Sequence, residues 1–182
     1  VEILTEDDRP NSLKSMTSDW NTDWTRHTMP YTEILSGGPP RDGIQSIDNP
    51  TFQSVAEASD WLADNDPIIY LEINGEARAY PLQILIWHEI VNDEFGSGDA
   101  TVPVIVTFCP LCNSAIVFDR RVGDAVYEFG TSGLLRHSDL IMYDRTTESL
   151  WQQFTGTAIV GEEVGLQLDM IPSSLIGFGD FK

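Results

Sequence analysis

From residue 54 onward, apolar and polar positions recur with a definite period, and the period changes along the chain. Ser54-Val55-Ala56-Glu57 has the spacing of a capping box, and Val55, Ala58, Trp61 and Leu62 recur at helical intervals. This predicts a helix over about 54–64. Pro67 opens a β-branched run over 68–73, Asn74-Gly75 is a strong two-residue hairpin signal, and 77–80 forms the returning strand. Pro81 begins a short apolar helix over 82–87 that delivers His88 at its end. A buried strand is predicted over 102–108, with Cys109-Pro110-Leu111-Cys112 as the turn after it and 114–119 leading back. Residues 120–124 connect to a strand over 125–129, and Gly130-Thr131-Ser132-Gly133 reads as a turn-forming stretch. Further strands are predicted over 140–144, 150–154 and 158–160. The pattern is that of an α+β fold: a mainly β single domain with one or two short helices.

The first fifty residues follow no period of 2 or 3.6. They hold Pro10, Pro30, Pro39, Pro40, Pro50 and the Gly37-Gly38 pair. Trp20, Trp24, Met29, Tyr31 and Ile34 are too apolar for a free linker. Residues 1–50 are therefore expected to form an irregular N-terminal arm packed on a core domain of residues 51–182.

Composition narrows the class. A chain of 182 residues suffices for one domain, and 41% hydrophobic residues with five Trp, eight Phe and five Tyr exclude wholesale disorder. No run approaches the ~18 apolar residues of a membrane-spanning helix, so no transmembrane segment is predicted. Charge changes the picture more. Twenty-nine Asp and Glu stand against ten Lys and Arg, a formal net charge of −19, and the only lysines are Lys14 and Lys182. On a sphere of radius ~20 Å that charge has a self-energy of ~37 kcal/mol in water, ~11 at physiological salt and ~5 at 1 M. Such a surface suits a halophilic environment, with an acidic interface for a cationic partner as the competing reading, and it excludes nucleic acid as an electrostatic partner. Protein partners and oligomeric state are left open.

The two cysteines form one CxxC, stiffened by Pro110. Three readings stand side by side: two thiolates converging on one metal, a dithiol–disulfide couple, or a closed structural disulfide. Of the histidines His27, His88 and His137, His88 ends an apolar helix about twenty residues before the thiols, and it reads either as a ligand joined to them or as a core histidine hydrogen-bonded to backbone. Two sulfurs and an imidazole suit copper ahead of zinc, and Met142 is the candidate thioether ligand. His137, Glu89 and water are alternative fourth ligands, and core packing is the alternative role of Met142. Arg136, Asp139, Asp144 and Arg145 flank one strand, either as a polar cluster near a pocket or as structural ion pairs. No GxSxG, HExxH or phosphate-loop motif is present.

Several blocks together carry a family resemblance. They are the stretch from Leu71 to Pro81, Trp87-His88-Glu89-Ile90-Val91-Asn92-Asp93, Thr107 to Ala115 around the CxxC, Phe129 to Leu135, and Ser149 to Gly156. All resemble the domain of unknown function 3179 family of bacteria and archaea, over roughly residue 36 to the end. The resemblance implies no activity. It implies an extracytoplasmic or cell-surface home, with membrane anchoring through a removed or absent leader, because members often follow an export signal or lipoprotein leader. His88 and Met142 fall on the family pattern, whereas His137 stands where the family usually has Asn. Relatives tend to continue past Ile171-Pro172, so the chain is expected to be incomplete at its C-terminus relative to them. With the acidic surface, the resemblance suggests a haloarchaeal member. The resulting expectation is an extracytoplasmic metal-binding or redox domain using His88, Cys109, Cys112 and Met142, copper favoured over zinc. Its alternatives are a structural cell-surface or filament-associated domain with a CxxC disulfide, and an enzyme using the same pocket.

Overall fold

The computed structural model describes residues 2–182, of which 40% of the chain is strand and 15% helix. The irregular arm contains α1 (Asn11–Met16), β1 (Ile34–Ser36) and β2 (Ile47–Asp48). There follow α2 (Val55–Ala58), β3 (Pro67–Ile73), β4 (Glu76–Pro81), α3 (Leu82–His88) and β5 (Ile90–Phe95). The remainder is β6 (Val102–Cys109), β7 (Ser114–Asp119), β8 (Arg121–Val122), β9 (Ala125–Val126), β10 (Phe129–Arg136) and β11 (Asp139–Asp144). It ends with β12 (Leu150–Gln152), β13 (Thr157–Val160), β14 (Met170–Ile171), β15 (Ser174–Gly177) and α4 (Phe178–Phe181).

Two five-stranded sheets dominate, in orders β1-β10-β11-β12-β13 and β14-β7-β6-β5-β2; β15-β3-β4 and β8-β9 form smaller ones. All pairings are antiparallel except β2 with β5. The period-2 alternation along β6 shows why the layers stack. Ile105 and Cys109 face a core shared with Phe129, Leu140, Met142 and Trp151 of the first sheet. Val104, Val106 and Phe108 face the opposite core, with Leu71, Tyr80 and Leu85. A strand buried on both faces reads as one apolar run, as this one does. The outer face of the first sheet is covered by Leu13, Trp20, Trp24, Met29, Tyr31 and Ile34 of the arm, which meet Ile141, Tyr143 and Ile159 there.

Local chemistry accounts for the elements and for the departures from expectation. Ser54 and Glu57 form the reciprocal capping box, but α2 ends at Ala58 instead of near 64. Leu62 is still brought to the core, by a turn closed from its N–H to the Ala58 carbonyl. There are four short helices rather than one or two. Asn74 and Gly75, at φ 54° and 82°, make the β3–β4 hairpin turn. The stretch Gly130 to Gly133 is not a turn but part of β10, with a bulge between Thr131 and Leu134. Unpredicted β5 carries the polar run Asn92-Asp93-Glu94. It is tolerated because Asn92 Nδ2 donates to Asp48 Oδ1 and the Phe129 carbonyl, while Asp93 accepts from Arg78 and Tyr80.

Candidate metal centre

The tips of two hairpins, one from each large sheet, meet at the cysteines. Cys109 is the last residue of β6 and pairs in register with Ser114, the first of β7. The connection rises through Pro110 and Leu111 to Cys112, and Asn113 turns it back at φ 50°. Facing it, Arg136 and Asp139 close the β10–β11 hairpin around His137 and Ser138, both left-handed at φ 53° and 64°. Cys109 Sγ donates to the Ser138 carbonyl at 3.7 Å, and Cys112 Sγ donates to Asp139 Oδ1 at 3.4 Å. The two sulfurs and a carboxylate oxygen of Asp139 all lie within 4.8 Å of one another.

This cluster is graded from inside to outside. Cys109 is buried, Asp139 is 6% exposed and Cys112 is exposed. Both cysteines are free thiols here. Burial, together with the hydrogen bond from Cys112, pushes the Cys109 thiol up to about 12. Asp139 is locked from behind: its Oδ2 accepts from Gln152 Nε2 and, at 3.0 Å, from the Phe154 N–H. Gln152 is oriented by Arg136, which pairs with Glu33 at 2.7 Å. On the other side Cys112 Sγ lies 3.1 Å from Ser114 Oγ. That hydroxyl donates to Gln153 Oε1, and Gln153 Nε2 donates to Thr107 Oγ1. Two thiols and a carboxylate held this close repel once ionised, so the arrangement favours a cation among them.

The sequence-predicted residues separate. Cys109 and Cys112 converge. His88 does not join them: its Nδ1 bonds the Gln45 carbonyl at 2.7 Å, and among the described residues the cluster includes no histidine. Its position at the end of α3, followed by Glu89 at φ 59°, directs the ring toward the arm instead. Met142 is fully buried in the core shared with Trp151 and Phe129, and packing accounts for it. His137 is exposed beside Glu33, and His27 is buried with its two ring nitrogens against the Met29 and Glu6 carbonyls. The residue missed as a ligand is Asp139. Its signal was a charge heading an otherwise apolar strand, where a carboxylate needs partners.

The profile of the family described as "Protein of unknown function (DUF3179)" matches residues 41–182. No curated protein and no solved structure matches the chain.

Proposed function

The chain belongs to the DUF3179 family of proteins of unknown function, and from its site geometry we propose that it is a metal-binding domain whose Cys109, Cys112 and Asp139 hold one divalent cation. The observation that carries this reading is the convergence of two thiols and a carboxylate within 4.8 Å, three groups that a cation would hold as anions, one of them fixed from behind by Gln152 and Phe154. The third donor being a carboxylate oxygen, in place of the imidazole and thioether expected, moves the preference from copper to zinc, a borderline ion that accepts sulfur and oxygen together. The exposed Cys112 side leaves the fourth position to water or an exogenous ligand, which is the arrangement of an exchanging or catalytic site rather than a closed structural one. The extracytoplasmic, salt-rich setting belongs to the same proposal and rests on the family resemblance and the net charge of −19.

A redox couple is the second reading, favoured by the asymmetry of an exposed Cys112 beside a buried, high-pKa Cys109. Titration of the fully reduced protein with Co²⁺, as a spectroscopic stand-in for Zn²⁺, separates the two. One equivalent with a thiolate-to-cobalt charge-transfer band is expected, lost in Cys109→Ser and Cys112→Ser and weakened about 10–100-fold in Asp139→Asn. Thiols that titrate as a reversible couple but take up no cobalt or zinc overturn the metal reading in favour of the redox one.

A further inference from the structure

The three-stranded sheet leaves β4 as an edge, and a groove of about 830 Å³ runs along it. Every residue of β4 lines that groove. Its walls come from both sides of the sheet. Ala58, Trp61, Leu62, Phe178 and Phe181 stand on one, and Ile47, Leu85 and Val91 on the other. The segment Thr51-Phe52-Gln53 also lines it, with Phe52 packed edge-on against Tyr80 and beside Arg78 of β4.

The register fixes which backbone groups face the opening. Asn74-Gly75 makes a two-residue turn with both φ positive, so the flanking pair Ile73/Glu76 is hydrogen-bonded, and so are the alternate pairs Leu71/Arg78 and Ile69/Tyr80. Ala77 and Ala79 therefore turn their N–H and C=O groups outward. Among the described residues those groups have no hydrogen-bond partner, and neither have the backbone N–H groups of Thr51, Phe52 and Gln53 in the groove lining. An edge of this kind is ordinarily blunted by charge or covered. Here the charges on the edge, Glu76 and Arg78, are paired with each other, alanines carry the outward backbone, and Phe52, Val55 and Trp61 are left at least 40% exposed beside it.

We propose that this groove takes an extended polypeptide segment, added antiparallel or parallel to β4 as a further strand, with apolar side chains on both faces seated between the walls and basic residues at its ends, where the strand leaves the groove. Unpaired backbone along β4 selects a strand over a compact ligand, and apolar walls above and below the sheet receive the side chains of both faces of that strand. Six residues of edge correspond to about 20 Å of added strand. Charge selects the occupant. Among the described residues the one cation lining the groove, Arg78, is committed to Asp93 and Glu76, and Lys182, which lies over the Phe178 ring, is committed to Asp64, whereas Glu57, Asp60 and Asp180 lie on or beside the wall elements. A second copy of a chain with net charge −19 is repelled from such a rim, and a basic partner is drawn to it.

The test uses a capped peptide of four valines flanked by two lysines at each end, with the intact protein. Saturable binding is expected, with exchange of the Ala77 and Ala79 amide protons slowed about tenfold or more in the complex. The counterpart flanked by glutamates should bind at least about tenfold more weakly, and so should the basic peptide N-methylated at alternate amides. Ala79→Pro removes one outward donor without touching the bonds to β3, and it should weaken binding similarly. Should Ala79→Pro not fold, the N-methylated peptide decides alone. No saturable binding of the basic peptide overturns the proposal. So does binding that leaves both amides exchanging as before, or that N-methylation does not affect. Protection of those amides in the protein alone, rising with its concentration alongside dimer, would make a second copy the occupant and equally overturn it.

Discussion

Glu89 closes α3 at φ 59° and ψ −31°, where helices ordinarily place glycine, and its side chain enters a small cleft lined by Ile44, Leu111, Leu134, Leu135 and Leu140. Burial alone pushes its carboxyl up to about 7, with no partner to favour the charged form. Below about pH 4.5 the group is protonated in folded and unfolded chains alike and has no effect on stability. Between about 4.5 and 7 the unfolded chain has lost the proton that the folded one still holds, so raising the pH favours unfolding, and above 7 the loss is constant. After allowance for its partial exposure the loss is roughly 1–2 kcal/mol. Glu89→Gln should therefore stabilise the protein by about that amount at pH 8, measured by denaturant unfolding, and change little at pH 4. A variant no more stable at pH 8 than the parent would show that solvent reaches the carboxyl. At the thiols, the contrast between exposed Cys112 and buried, high-pKa Cys109 makes a kinetic prediction. Iodoacetamide at pH 8 should alkylate Cys112 at least about tenfold faster, as followed by peptide mass spectrometry. Equal rates would mean that the β6–β7 tip opens freely.

At the scale of elements, the bulge in β10 is what lets the arm approach the first sheet. Gly133 sits at φ 73°, and a Cβ there would lie 2.1 Å from the Pro39 carbonyl oxygen; the Gly37 N–H donates to the Gly133 carbonyl at 2.7 Å. Gly133→Ala combines backbone strain with a clash against main chain, so a loss of roughly 2–4 kcal/mol is expected. Gly75→Ala has open space and meets the φ term alone, so it should lose about 1 kcal/mol. Thermal unfolding of the two variants side by side checks the ranking. The same bulge shows where local patterns stop being legible. A glycine pair in Gly130-Thr131-Ser132-Gly133 signals a turn on any local reading, and only the packing of Pro39 and Asp42 against the strand explains why the chain continues there as a bulged strand. β5 was hidden for a related reason: its Asn92 and Asp93 find partners 44 and 13 residues away, which no short window contains. By contrast β3, β4, β6 and β7 were legible because hairpin turn chemistry and a doubly buried apolar run are both local signals. The site divides in the same way. Its CxxC could be read directly, whereas Asp139 reaches Cys112 only because two hairpins from different sheets dock tip to tip.

Over the whole molecule, most of the few cations are held in ion pairs, some local and some between arm and sheet. Arg9 pairs with Asp7, Arg121 with Asp119, Arg136 with Glu33, Arg145 with Asp42 and Glu128, and Lys182 with Asp64. Their pairing leaves most of the carboxylates facing one another across solvent, and layering makes that costly, because the arm and both large sheets must be held together against it. Arg41, which pairs with Asp19 and Glu148 and lies 4.7 Å from the centre of the Trp20 ring, is one of the few links between arm and sheet that salt would weaken. The apolar contacts of Trp20, Trp24 and Tyr31 with the sheet strengthen with salt instead. The balance is decided by magnitude. Screening the net charge of −19 between physiological and molar salt removes up to ~6 kcal/mol of self-repulsion, while exposed ion pairs contribute ~0–1 kcal/mol each. The melting temperature should accordingly climb by roughly 5–15 °C between 0.1 M and 2 M KCl, at ~2–4 °C per kcal/mol for a chain of this length and with some of the repulsion present in the unfolded chain as well. NaCl should act equally with KCl, because screening does not distinguish the two cations, and sucrose at matched osmolality should raise the melting temperature less. A flat response to both salts would mean that the acidic surface is already neutralised by something other than salt, and would turn attention to a cationic partner, such as a basic strand along β4.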